Sequence, residues 1–321
     1  MAQRSMAPQT DVLKKHSGKV NYDRYGYMFV APFIIAFVVF TLYSIFFTFR
    51  IAFTDLVYWK IDEMQWVGLD NFKLLFDFEK PIATLFWTSI KNTLVIWLWN
   101  FVPQILMSML LANWFSSARM NLRFQGGFKV LIFMPNIITA ATIAMLFYSL
   151  FSFPVAPINT LLQQFGLISK PVEFFRSTGA TRGIISFIQW WMWYGNTMII
   201  LIAGILGINP ALFEAGLVDG CTGVQMFTKI TLPLLKPILL YNLVTSMIGG
   251  LQMFDIPQLL NAGGPNNTTN TVARFIYTQA FEGSYNFNYA AAASIILFGI
   301  IIVLSVLLFF FMSDRDSGVS K

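Results

Sequence analysis

The chain has 321 residues, of which 56% are apolar, 17% aromatic and only 11% charged, with a formal net charge of +6. This excludes an ordinary soluble domain, in which about a quarter of the residues are charged. One cysteine, Cys221, and one histidine, His16, exclude an internal disulfide framework and a metal site built on Cys and His.

In chain order, residues 1–27 form a polar tail carrying Arg4, Lys14, Lys15, Lys19 and Arg24. The tail and the long apolar run after it do not fit a cleaved signal peptide. Apolar runs follow at 28–49, 92–112, 130–152, 183–206, 238–256 and 288–312. Each is close to the roughly 20 residues that cross a bilayer as a helix. Helices close their own hydrogen bonds, and the runs lack the alternation of a membrane barrel strand. The expected fold is an all-α membrane protein with six transmembrane helices over 28–312, and a second short tail at 313–321.

The connecting segments are also informative. Trp66 to Phe76, WVGLDNFKLLF, reads as a short amphipathic helix on the membrane surface with Asp70 as its N-cap. Pro157 to Leu167 reads as another short helix, and Asn261 to Thr271, NAGGPNNTTNT, as irregular backbone. The 113–129 loop carries Arg119, Arg123 and Lys129 without an acid, whereas 258–285 carries only Arg274 as a basic residue. The 153–182 loop, with Lys170, Arg176 and Arg182, weakens the bias. The positive-inside rule then puts both termini, the 113–129 loop and the segment around Glu214 in the cytoplasm, as an even span number requires. Basic residues scattered in this way set orientation, so nucleic acid is not an expected partner. Tyr43, Trp59, Trp66, Trp87 and Trp114 fall at span ends as an aromatic belt. Trp190, Trp191, Trp193 and Tyr194 cluster inside a span, as do Pro103 and Pro135 singly. The prolines mark either bends or ordinary packing.

The runs 92–112, 130–152, 183–206, 238–254 and 288–312 contain no Asp, Glu, Lys, Arg or His. Proton symport would have no relay there, and a charged substrate no counter-charge. The interior offers Asn136, Thr139, Gln189, Asn196, Thr197, Asn242, Thr245, Ser246 and Gln252 beside Trp190, Trp193 and Tyr241. Neutral amides and ring faces suit an uncharged, hydroxyl-rich ligand such as a sugar, whose hydroxyls need partners once dehydrated. Hydrogen bonding between packed helices is the other reading, and both stay open at this point.

Between the fourth and fifth runs lies the polar segment 209–237. Asn209 is an N-cap and Pro210 a first-turn residue for a helix from Ala211 to Val218. Asp219-Gly220 supplies a turn, Thr222 caps a second helix to about Thr228, and Ile230, Leu232 and Pro233 lead back to Pro237 at the next span.

This ordered series resembles the permease subunits of ABC sugar importers, the binding-protein-dependent transport systems of the maltose, multiple-sugar and glycerol-phosphate type. Their cytoplasmic loop reads approximately E-A-A, three residues, D-G-A, then I-x-L-P. Here it is Glu214-Ala215-Gly216, Asp219-Gly220-Cys221 and Ile230-Thr231-Leu232-Pro233. The likeness continues in Ala31-Pro32, Trp66 to Phe72, Phe254-Asp255 and Gly263-Gly264-Pro265, and departs at Ser44, where many relatives have proline.

The resemblance implies a type I ABC importer architecture whose coupling hairpin docks on a separate ATPase dimer. Glu214, Ala215, Gly216, Asp219, Gly220, Phe227, Leu232 and Pro233 would carry that contact. It also implies a second permease, an extracytoplasmic solute-binding protein and a location in a bacterial or archaeal cytoplasmic membrane. The chain would bind no cofactor, and the partner ATPase would use ATP and Mg. No G-x-x-x-x-G-K-[ST] phosphate loop occurs in the sequence, so hydrolysis is expected only in the partner. In maltose-type permeases the sugar sits midway across the membrane. The corresponding positions here are Asn136, Ala140, Met192, Trp193, Asn196, Thr245, Gly249 and Gln252. The alternatives are a permease for glycerol-phosphate-like compounds and a sodium-coupled secondary transporter.

Overall fold

The computed structural model describes residues 23–58, 63–116, 123–283 and 285–312. His16, the tail cations Arg4, Lys14, Lys15 and Lys19, Trp59, Arg119 and the segment 313–321 lie outside the described residues. Among the described residues the backbone is helical between turns, apart from one isolated bridge between Thr54 and Trp66. The chain divides into two units at Thr48 and Phe49.

The first unit holds α1 (Asp23–Ala36), a π-helical stretch (Phe37–Leu42) and the start of α2 (Tyr43–Ala52). Ser44 Oγ donates to the Phe40 carbonyl at 2.8 Å and Thr48 Oγ1 to the Ser44 carbonyl at 2.9 Å. Hydroxyls that bond back one turn satisfy themselves within the helix, as an apolar surrounding demands.

The second unit contains α3 (Asp70–Phe76), α4 (Pro81–Ser116), α5 (Gln125–Ile137), α6 (Ala140–Phe151), α7 (Pro157–Gln164) and α8 (Thr178–Leu206). There follow α9 (Pro210–Val218), α10 (Gly223–Met226), α11 (Leu232–Leu234), α12 (Lys236–Leu251), α13 (Asp255–Asn261), α14 (Val272–Phe281) and α15 (Phe287–Met312). Tyr25–Ala52, Pro81–Ser116, Lys236–Asn261 and Phe287–Met312 are long and apolar enough to cross a membrane. Two bent pairs, α5 with α6 at 89° and α8 with α9 at 74°, bring the number to six.

The third expected span, 130–152, is therefore not one rod. Ile138 and Thr139 are extended, and Thr139 Oγ1 accepts from the Thr142 amide to start α6 afresh. Pro135 lies near the end of α5, where a missing N–H weakens the helix just before this break. Pro103, by contrast, sits within uninterrupted α4.

The central packing is between α4 and α8. Gln104 Nε2 donates to Thr197 Oγ1 at 2.8 Å, and Ser108 Oγ to the Tyr194 carbonyl at 2.7 Å. Glycines set the closest crossings. A Cβ on Gly195 would lie 2.9 Å from the Ile132 carbonyl carbon, so α5 and α8 touch backbone to side. A Cβ on Gly204 would meet Leu235 Cδ2 at 2.8 Å. On α15, Ala291, Ala292 and Ala293 are buried together, and small side chains of this kind let helices approach where lipid offers no hydrophobic drive.

Helix α3 differs from its expected form. Asp70 is its first helical residue rather than its N-cap, because Leu69 occupies the cap position; Asp70 instead pairs with exposed Lys73 at 2.8 Å. The helix is not simply laid on a surface either. Asn71 is buried and donates to the Ala52 and Thr54 carbonyls at 2.8 and 2.7 Å, while Asn288 Nδ2 donates to its Oδ1 at 3.0 Å. A polar anchor fixes the helix where the surface pattern alone showed only amphipathicity.

The 258–285 segment contains α13 and α14 around an irregular stretch. The stretch is buried, with Thr269, Asn270 and Thr271 at 1% exposure or less. Asn92 organises it. Its Nδ2 donates to the Asn267 and Asn270 carbonyls at 2.7 and 3.1 Å, and its Oδ1 accepts from Arg182 Nη2 at 2.5 Å. Arg182 Nε donates to the Thr268 carbonyl at 2.9 Å. Arg274 lies beneath Gly263, whose φ of +78° admits only a residue without Cβ so close to the guanidinium. Burial lowers the Arg274 pKa from its ordinary value, partly offset by Glu282. Asn92→Ala is expected to orphan these buried groups at a cost of about 1–3 kcal/mol. A lower melting temperature and faster proteolysis within 261–271 would show it.

Candidate translocation cavity and coupling hairpin

A cavity of about 210 Å³ opens where α4, α8 and α12 face one another. Helix α8 contributes Gln189, Trp193, Asn196, Thr197 and Ile200, which recur on one face at helical spacing. Helix α12 and its end add Tyr241, Asn242, Thr245, Ser246, Gly249, Gly250 and Met253, and α4 adds Trp97, Asn100 and Gln104. The lining carries no ionisable acid or cation.

Its polar groups fall into two kinds. Thr197 accepts from Gln104, Asn100 Nδ2 and Asn242 Nδ2 each donate one turn back along their own helices, and Thr245 Oγ1 donates to the Tyr241 carbonyl. Those groups hold helices together or satisfy themselves. Gln189, Asn196 and Ser246 have no hydrogen-bond partner among the described residues. Their amides and hydroxyl are open to a ligand. The two readings of the neutral polar cluster thus divide residue by residue.

Of the eight positions carried over from the maltose-type permeases, Trp193, Asn196, Thr245 and Gly249 line this cavity. The other four lie outside it. Asn136 and Ala140 flank the break between α5 and α6, and Asn136 Nδ2 reaches only the Met192 carbonyl at 3.2 Å. Met192 stands one place off the cavity face of α8, with its side chain in an apolar cluster with Ile188 and Ile143. Gln252 caps α12 and is exposed, because the helical register ends there. Trp97, Asn100 and Gln104 had not been singled out as site residues. Their spacing of three and then four inside an apolar run is a legible polar stripe.

The cavity leads toward the hairpin. An open groove of about 780 Å³ shares Ile200 and Tyr241 with it and runs past Ala203, Gly204 and Gly207 to Asn209, Leu212 and Pro237. Asn209 Oδ1 caps α9 by accepting from the Ala211 amide at 3.1 Å. The helix then closes in a Schellman arrangement. The Gly220 amide donates to Leu217 and the Cys221 amide to Gly216, with Gly220 at φ +73°. Thr222 and Gln225 form a reciprocal capping box for α10. The second helix runs only to Met226, and a π-helical turn (Phe227–Thr231) carries the chain on through Thr228. Leu232 begins α11 and Pro233 follows within it.

Gly216 is buried, and a Cβ there would stand 3.1 Å from Ile230 Cδ1, so α9 rests directly on the return strand of the hairpin. Glu214, Ala215, Asp219 and Gly220 are exposed, Phe227 and Leu232 half-buried and Pro233 exposed. Val218 is 88% exposed and Val224 73%, so charged Glu214 stands beside uncovered apolar side chains on a firmly capped hairpin. Beneath α9, a hollow of about 430 Å³ is bordered by Phe213, Glu214, Leu217 and Met226.

Residues 93–316 match the family of binding-protein-dependent transport system inner membrane components. The chain belongs to that family. It is a permease subunit of an ABC importer, an inner-membrane protein working with a binding protein. The permease is similar to the lactose transport system permease protein of Rhizobium radiobacter, at 32% identity over 94% of this chain and 98% of that one. It is also similar to the arabinooligosaccharides transport system permease protein of Bacillus subtilis (strain 168), at 30% identity over 88% and 86%. Among solved structures, a chain of a bacterial ABC transporter involved in the import of the acidic polysaccharide alginate superposes with a TM-score of 0.78. The identity there is 25%, with 93% of this chain and 98% of that chain covered. A second structure of a bacterial alginate ABC transporter, in complex with an alginate pentasaccharide-bound periplasmic protein, gives a TM-score of 0.74 at 26% identity. The six-span helical permease architecture expected from the sequence is thus the observed one.

Proposed function

We propose that this permease forms one half of the pathway for an uncharged saccharide delivered by an extracytoplasmic binding protein. The observation that carries this is the cavity between α4, α8 and α12. Its lining has amides, hydroxyls and indoles but no charged group, and three of its polar side chains are without a protein partner. Stripping water from a sugar leaves many hydroxyls to be met, and neutral donors and acceptors meet them without the desolvation cost of a buried ion. A volume of about 210 Å³ falls below the usual range for an enclosed ligand site, about 300–1,000 Å³. A second permease facing the cavity would complete it.

In this reading the hairpin of α9 and α10 faces the cytoplasm and docks on an ATPase dimer that consumes ATP and Mg, with Glu214 as its charged contact. The named systems to which the relatives belong carry saccharides, and that supports the substrate class. The relative involved in alginate import handles an acidic polymer, so charge selectivity is the point to test.

The test is to purify the tagged permease from its host in mild detergent and identify the accompanying subunits. The complex is then reconstituted and offered neutral oligosaccharides and oligouronates of equal length. ATP-dependent uptake of neutral oligosaccharides by a complex containing a second permease and an ATPase is expected. Uptake confined to uronates would overturn the neutral-saccharide reading, and uptake by the permease alone would overturn the ATPase dependence.

A further inference from the structure

Trp97 on α4 stands apart from the other residues of the cavity. Its indole Nε1 is buried and has no acceptor, as is also true of Trp190, but only Trp97 borders the cavity. An indole nitrogen is a donor and nothing else, and tryptophans usually enter packed interiors where the N–H finds a partner. The ring is also firmly seated. It stacks on Phe101 with centroids 5.3 Å apart and planes inclined by 24°. On its other side it rests on α12 at Gly250. A Cβ at position 250 would fall 2.7 Å from both Cγ and Nε1 of the indole. Glycine at that position therefore leaves room for the ring. Asn100 and Gln104 continue the same face of α4, but their amide nitrogens already serve Ile96 and Thr197.

We propose that Trp97 is a specificity-determining residue of the permease. Its indole N–H, held by Gly250 and Phe101, donates to a ring or hydroxyl oxygen of a neutral saccharide in the cavity, and the ring edge covers part of the sugar's C–H surface. This rests on the saccharide reading above and adds the α4 wall to the site. A donor fixed before the ligand arrives, in a pocket that water cannot otherwise satisfy, discriminates between ligands by the cost of leaving it unmet. It also explains why the sequence has glycine at 250 although glycine weakens a helix interior.

The experiment uses the reconstituted complex with its binding protein. The probes are lactose, arabinotriose and trigalacturonate, with initial uptake rates measured against concentration. Trp97→Phe keeps a ring and removes the N–H; Gly250→Ala drives the indole from its seat. For the neutral probe that the wild type transports, both variants are expected to raise KM about tenfold, the loss of roughly one neutral hydrogen bond. Maximal rate, coupled ATP hydrolysis and, for Trp97→Phe, the melting temperature should stay near wild type. A merely structural role would instead lower the melting temperature and the maximal rate together. An unchanged KM in Trp97→Phe would overturn the inference while leaving the saccharide reading in place. Wild-type transport of trigalacturonate in preference to both neutral probes would overturn both. Should Gly250→Ala fail to assemble, Trp97→Phe alone decides.

Discussion

Glu214→Lys is expected to abolish ATP-driven uptake while the permease still inserts, folds and melts normally. Glu214 is exposed on α9 and makes no hydrogen bond or ion pair within the described residues, so its loss removes nothing from the fold. The hairpin that carries it is held by other means: the Asn209 cap, the Schellman closure at Gly220 and the Thr222 capping box. If the hairpin docks in an ATPase cleft, the lysine meets a basic partner group once water is excluded. Losing one member of a buried interfacial charge pair costs about 2–5 kcal/mol, or roughly 30-fold to several thousandfold in docking. Reversing the charge should reach the upper part of that range. ATP hydrolysis by the reconstituted complex and uptake by proteoliposomes would be measured together. Wild-type uptake with the lysine present would remove Glu214 from the coupling contact.

Gly195→Ala is expected to give a large loss of stability. The α5–α8 crossing is so close at this point that the added methyl would collide with the Ile132 carbonyl group. The obstacle is backbone rather than the free end of a side chain, so it cannot rotate away. Overpacking of this kind costs about 1–3 kcal/mol, sometimes more. The Asn136 Nδ2 bond to the Met192 carbonyl spans the same interface and should be broken as α5 is pushed off. Gly299 of α15, around which a Cβ would meet nothing within 4 Å, is the control. Alanine there should be neutral or stabilising, since it is the better helix former by roughly 1 kcal/mol. Melting of the two variants in detergent, followed by light scattering, separates the cases. Equal melting temperatures would mean that α5 does not pack as described.

The hairpin shows how far local chemistry reaches. Asn209, Pro210, Asp219-Gly220 and Thr222 were readable as caps and turn because each acts on backbone within three residues of itself. The cavity shows where such reading stops. Gln189, Trp193 and Asn196 share a face by helical periodicity, which a sequence displays. Their meeting with Trp97, Asn100 and Tyr241 depends on how α4 and α12 cross α8. Those crossings are set by Gly250 and Gly204, whose partners lie far away in the chain. Transferred alignment positions fared unevenly for the same reason. Asn136 and Ala140 belong to a run that looks continuous in hydropathy but turns by 89° in space.

By itself the sequence determined the number and helical nature of the spans, the absence of charge in their interiors and the capped hairpin between the fourth and fifth. Each of these follows from bilayer thickness, from the cost of burying an ion or from hydrogen bonding within a few residues. Only the tertiary structure decided that the 261–271 segment is a buried network around Asn92, that the third span is broken, and which polar side chains are spent on other helices. Those outcomes depend on contacts between residues as far apart as Asn92 and Asn270, where no local periodicity carries the information.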